Sequence, residues 1–166
     1  MFDGCLDLND VLTMDFDGRD FETFKLASGD VLLNEGQSRE LVGRCCIYRG
    51  EIEDCCFQNT LIRFVPSAKV LAEFAFTYFR FLFHKGAFAQ IASQTTSIAH
   101  LGADRFASLP MPVPPVPAQQ RIIYQLSRFG SAIRHITAVL EDSRSLKAEL
   151  LRKISNRGST GAAHVQ

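Results

Sequence analysis

The chain has 166 residues, 46% of them hydrophobic and 22% charged, a composition that fits one globular core with an extension and excludes a fibrous or largely disordered protein. The longest aromatic-rich run, Phe74 to Phe83, is interrupted by Arg80 and preceded by Glu73, which argues against a membrane span; no secretory leader opens the sequence, and an odd set of five cysteines suits a reducing cytoplasm. Net charge is zero, yet Met1 to Thr60 holds 13 acids and 5 bases (−8) and Leu61 to Gln166 holds 5 acids and 13 bases (+8), an asymmetry that permits an acidic or nucleic-acid partner and is also the ordinary signature of solvated faces.

Residues 1 to 30 are acidic, with turn signals at Asp3-Gly4, Asp17-Gly18 and Ser28-Gly29-Asp30, so brief strands or irregular structure are expected there and no helix. Val31 to Leu33 reads as a short buried strand. Arg44 to Arg49 and Thr60 to Val65 are β-rich runs, expected to be neighbouring antiparallel strands around a turn near Gly50 to Asp54. Ser67 is placed to cap a helix beginning near Ala68, in which Val70, Leu71, Phe74, Tyr78, Phe81 and Leu82 recur at spacings near three and four. That helix should close one face of the sheet, its aromatic stripe serving as core packing.

Pro110, Pro112, Pro114, Pro115 and Pro117 remove amide donors, so the segment must be extended, and Pro117 fits the first turn of a following helix. A Pro-x-x-Pro ligand is the weaker reading, because the segment lies between structured elements. From Ile122 the seam Ile122, Leu126, Phe129, Ile133, Ile136, Leu140, Ser143, Lys147, Leu150 and Ile154 alternates steps of four and three, as in a coiled coil. It needs a partner helix from another chain or from a longer protein; the competing reading folds it back on its own domain. Gly130 costs about 1 kcal/mol relative to Ala, and roughly 37 residues make a rod of about 55 Å. The fold class expected is α+β: a small mixed or antiparallel β-rich domain with a packed helix over residues 1–116, a long coiled-coil helix over 117–157, and a disordered tail over 158–166.

Two polar loops carry the chemistry. Asn34, Gln37, Ser38, Arg39 and Arg44 surround Gly36 and Gly43, which would let the backbone approach a duplex. Arg can bind guanine in bidentate fashion and Asn or Gln adenine, each pair discriminating by about 1 to 3 kcal/mol. Gln94, Thr95, Thr96, Ser97 and His100 add short groups for phosphates or base edges. For each residue the competing reading is a turn or cap hydrogen bond. Glu35 and Glu40 would repel phosphate unless paired, so base-edge reading fits better than an electrostatic clamp. No nucleophile elbow, P-loop or GxGxxG is present. A zinc site from Cys45, Cys46, Cys55 and Cys56 is disfavoured, because adjacent strand residues point to opposite faces.

Taken in order, Gly29-Asp30-Val31-Leu32-Leu33-Asn34, Ser38-Arg39-Glu40-Leu41-Val42-Gly43-Arg44, Gln58-Asn59, Thr95-Thr96-Ser97-Ile98, the strap from Leu109 to Pro115 and Gln120-Arg121-Ile122 resemble a target-recognition domain of type I restriction-modification specificity subunits. The resemblance extends from about Phe2 to Ile154. It implies a module that reads one half of a split target in double-stranded DNA, with long helices that pair antiparallel and set the spacing between half-sites. It implies no bond chemistry and no cofactor on this chain. S-adenosylmethionine, ATP and Mg would belong to partner modification (methyltransferase) and restriction subunits. A complete specificity subunit holds two recognition domains, so the chain would be about half a subunit, shortened at its front. It would join a second half or a second copy through Ile122, Leu126, Phe129, Ile133, Ile136, Leu140, Leu150 and Ile154. The competing reading is a coiled-coil assembly protein, or an inactive remnant, that binds no DNA.

Overall fold

The computed structural model describes residues 4–9, 11–94 and 97–159, with side chains followed to Ile154. The chain divides into two compact units, the first ending at Ile123 and the second beginning at Tyr124. The elements are α1 (Gly18–Phe24), β1 (Val31–Asn34), β2 (Gly36–Gln37), β3 (Cys45–Ile47), β4 (Leu61–Phe64), α2 (Ala72–His84), α3 (Ala87–Ile91), β5 (Ser93–Gln94), β6 (Ala99–His100), α4 (Ala103–Ala107) and α5 (Val116–Ser159). The fold is α+β, with small antiparallel sheets, a packed helix and a long C-terminal helix.

The first unit is organised around β1. Its four residues are all buried, and it lies between β3 and β4, antiparallel to both. Alternation along the pleat sends Val31, Leu33, Cys45, Ile47 and Ile62 into the main core with Phe74, Phe79 and Phe88; Leu32 and Cys46 enter a smaller cluster with Leu26 and Tyr48. The adjacent cysteines of β3 therefore lie on opposite faces. Edge-to-face contacts of Phe79 with Phe64 (5.1 Å) and with Phe106 (5.0 Å) join β4, α2 and α4. Asp30, buried at the entry to β1, accepts from the Ala27 N–H at 2.8 Å and from Arg63 Nε at 2.8 Å.

Three expectations are corrected. β3 and β4 are not neighbours, because β1 separates them. After the Gly50–Asp54 turn the chain pairs with residues beside α1, through Leu26 N–H to the Cys55 carbonyl (2.8 Å) and Phe57 N–H to the Phe24 carbonyl (3.0 Å), and so reaches the far edge of the sheet. A helix does form early. Asp17-Gly18 is its start rather than a free turn, the Asp17 carboxylate accepting from the Asp20 N–H at 2.8 Å. The aromatic helix begins at Ala72, not Ala68. Ser67 is used locally, its hydroxyl accepting from the Lys69 N–H at 3.3 Å and its carbonyl from the Val70 N–H at 3.0 Å. Phe74 is buried in α2 and Tyr78 and Leu82 pack beside the core, whereas Phe81 is 53% exposed.

The proline strap, residues 110–115, forms neither helix nor strand, and α5 opens with Pro117 as its second residue. α5 starts one residue earlier than 117 and runs through Gly158 and Ser159, two residues of the expected tail; residues 160–166 lie outside the described residues. Within the second unit Leu126, Phe129, Ile133, Ile136, Leu140, Leu150 and Ile154 are 47–68% exposed. A helix with this wet apolar seam lacks the burial that stabilises most protein helices. No described helix is long and apolar enough to cross a membrane.

Candidate nucleic-acid interface

A second, smaller sheet brings the two polar loops together. Its order is β2-β6-β5, with Gly36 opposite His100 opposite Ser93 in one row and Gln37 opposite Ala99 opposite Gln94 in the next. The rim is tied to the core at both ends. Glu35, between β1 and β2, donates its N–H to the Thr60 carbonyl (2.9 Å) and accepts from the Leu101 N–H (2.8 Å). Ala99 and Leu101 are fully buried beneath it. Gln37, Arg39, Gln94, Ser97 and His100 are exposed and Ser38 is half-buried; by the alternation of the pleat Gln37 and Gln94 lie on one side of the sheet and His100 on the other.

Two contacts join the loops directly. Arg39 Nη1 donates to Gln94 Oε1 at 3.3 Å, and His100 Nδ1 lies 3.0 Å from Glu35 Oε2. Sequence reasoning missed Glu35 as the partner of His100, because 65 positions separate them and no local pattern encodes a contact of that length. The other carboxylate is held ionised. Hydrogen bonds from the Glu40 N–H and from Ser38, together with the Arg39 charge, keep the Glu40 carboxyl below its ordinary range. The rim thus combines amide, hydroxyl and guanidinium groups with two carboxylates, a mixture suited to reading donor and acceptor patterns rather than to a uniform phosphate clamp.

Several expected site residues serve the loop from below. Asn34 is only 8% exposed, its Nδ2 donating to the Leu41 carbonyl at 3.3 Å; it exchanges backbone hydrogen bonds at 2.9 Å with Gly43 and Arg44. Its amide braces the 38–44 turn and is not on the surface. Arg44 is half-buried at the foot of the same turn. Gly43 does not open the backbone to a duplex: at φ +77°, an added Cβ would lie 2.7 Å from Phe88 Cβ and nearer still to its ring, so this glycine faces the core. Gly36 makes room for His100, whose ring atoms would lie 3.2 Å from a Cβ there. Thr95 and Thr96 lie outside the described residues.

The cysteines have a different chemistry. Burial, with a smaller contribution from Glu51, pushes the Cys46 thiol up to about 12, and burial also raises Cys55 and Cys56. These thiols keep their protons at neutral pH, the less reactive state for a nucleophile.

A small α+β head with an exposed, braced polar rim, followed by a long helix, has the build of a recognition module. The sequence profile of the type I restriction modification DNA specificity domain matches residues 16–142, and the chain belongs to that family. It is similar to a protein of Methanocaldococcus jannaschii named as the type I restriction enzyme MjaX specificity subunit, at 25% identity over 145 residues, covering 87% of this chain and 34% of that protein. The chain therefore spans about a third of the length of that relative.

Proposed function

We propose that this chain reads one half of a bipartite DNA target within a type I restriction-modification complex, its exposed rim residues Gln37, Ser38, Arg39, Gln94, Ser97 and His100 meeting the duplex. Thr95 and Thr96, which follow Gln94 in the sequence, are proposed as further DNA contacts. The observation that supports the reading is the β2-β6-β5 sheet, which sets side by side two loops that are far apart in sequence. The chain performs no bond chemistry. It works in the cytoplasm beside modification subunits that use S-adenosylmethionine and restriction subunits that use ATP and Mg, and supplies the choice of sequence.

Pairing through α5 completes the reading. Exposed apolar side chains at Leu126, Phe129, Ile133, Ile136 and Leu140 support a partner helix, from a second recognition half or a second copy, since burying each would contribute about 1.5 to 3 kcal/mol. Replacing Leu126 and Ile133 together by Asp should abolish association measured by light scattering while the head stays folded; an unchanged mass contradicts pairing through this seam.

Mapping methylated adenines in cells with and without the chain, partner subunits present, tests the function. A two-part motif that vanishes with the chain is the expected result, and a methylation pattern indifferent to it refutes the reading. The competing assembly role is separated by salt: phosphate contacts make duplex affinity of the assembled complex fall with ionic strength, and an inert scaffold shows no such slope.

A further inference from the structure

Gln119 is fully buried, and both ends of its amide are occupied. Its Oε1 accepts from the Leu71 N–H at 2.9 Å; its Nε2 donates to the Lys69 carbonyl at 2.7 Å and to the Pro114 carbonyl at 2.8 Å. All three partners are backbone groups, and they come from two separate segments: the turn that leads into α2, and the proline strap. A single side chain on the first turns of α5 therefore ties three stretches of chain together.

The chemistry of the position is restrictive. Only a neutral amide accepts once and donates twice, and asparagine is one methylene too short to span the same gap. A carboxylate would turn two donors into an acceptor facing two carbonyls, and an apolar residue would take this partner from the Leu71 N–H and from the Lys69 and Pro114 carbonyls. Hydrogen bonds also fix what apolar contact leaves free. Side chains can slide across a greasy surface, whereas donor–acceptor pairs hold both the position and the rotation of the helix start.

We propose that Gln119 is a positioning residue: it fixes where and at what rotation α5 begins on the head, and so makes the spacing between the two half-sites strict. The inference rests on the half-site reading above. Its scale is suitable. Changing the spacer by one base pair moves a half-site by about 3.4 Å, about two helix residues at about 1.5 Å each, whereas hydrogen bonds tolerate a drift of only about 0.5 Å. One turn beyond Gln119, Ile123 packs against the main core and closes the anchored stretch.

The test uses the full chain with its modification subunits and a set of duplexes whose half-sites are separated by the native spacer, one base pair fewer and one more. Wild type should methylate the native spacing at least about ten-fold faster than either neighbour, about the ratio that 1.4 kcal/mol gives. Gln119→Leu should bring the three rates to within about two-fold while the half-site bases read stay the same. A folded Gln119→Leu with wild-type strictness overturns the proposal. If Gln119→Leu fails to fold, Gln119→Glu, which keeps the side-chain length and the bond from Leu71, is judged by the same two outcomes. Should wild type methylate no bipartite duplex, the half-site reading fails, and amide exchange then decides the anchor by itself. The Leu71 amide should exchange about ten-fold faster in the variant, and equal rates overturn it.

Discussion

The two three-stranded sheets of the head divide its labour. In the sheet built on β1, four central residues are buried and side chains fill a core on either face. In the sheet built on β6 the strands are two residues long, and a buried alanine holds up a rim of exposed polar groups. The first sheet stores stability and the second spends little of it. The proposed recognition surface can change its side chains without endangering the fold, because the groups that brace it, Asn34, Gly43, Ala99 and Leu101, are buried.

The sharpest way to break this division is to attack the brace. Phe88→Ala empties a fully buried aromatic site and should cost about 4 kcal/mol in urea unfolding. Gly43→Ala meets the same ring and strains a left-handed backbone, for about 3 kcal/mol. Both should lower affinity for DNA only as far as they unfold the head. Asp30→Ala leaves the largely buried Arg63 without its carboxylate and should cost about 3 kcal/mol by the same assay.

A smaller effect follows from Cys46. Its folded-state thiol is raised from 9.0 to about 12, so the unfolded chain loses this proton first as pH rises. The stabilisation is complete below pH 9 and is lost progressively toward pH 12. The urea midpoint should fall between about pH 8 and about pH 10.5 in wild type and fall less in Cys46→Ala. Rim substitutions complete the contrast: Arg39→Ala and Gln94→Ala should move stability by no more than about 0.5 kcal/mol. Calorimetry showing a larger loss for either would place these residues in the fold rather than in the reading surface.

Much of the core was legible because burial leaves a chemical signature. Val31-Leu32-Leu33 can be little other than a buried strand, the periodic aromatic run is a helix, and consecutive prolines can only be extended. What was not legible depends on partners. Nothing in Arg44–Arg49 or Thr60–Val65 says that β1 will lie between them, since alternation encodes a face and not a neighbour. α1 escaped notice because it buries no side chain and so carries no apolar stripe. The same reason governs the rim. Polar composition marked the loops as candidates, but Asn34 and Gln37 look alike in sequence and only tertiary contacts send one inward and the other out. Gln119 was passed over because a buried amide has no pattern of its own, although it sits beside Gln120-Arg121-Ile122 at the start of the helix.

The central claim, that two distant loops form one reading surface, is tested most directly by a double-mutant cycle on Arg39 and Gln94, read out as the methylated sequence. The two alanine substitutions should each relax the same base position, and the double mutant should add less than the sum of the singles, with a coupling of about 0.5 kcal/mol or more. Unchanged methylated sequences in all three variants, or independent effects at unrelated positions, would contradict the account.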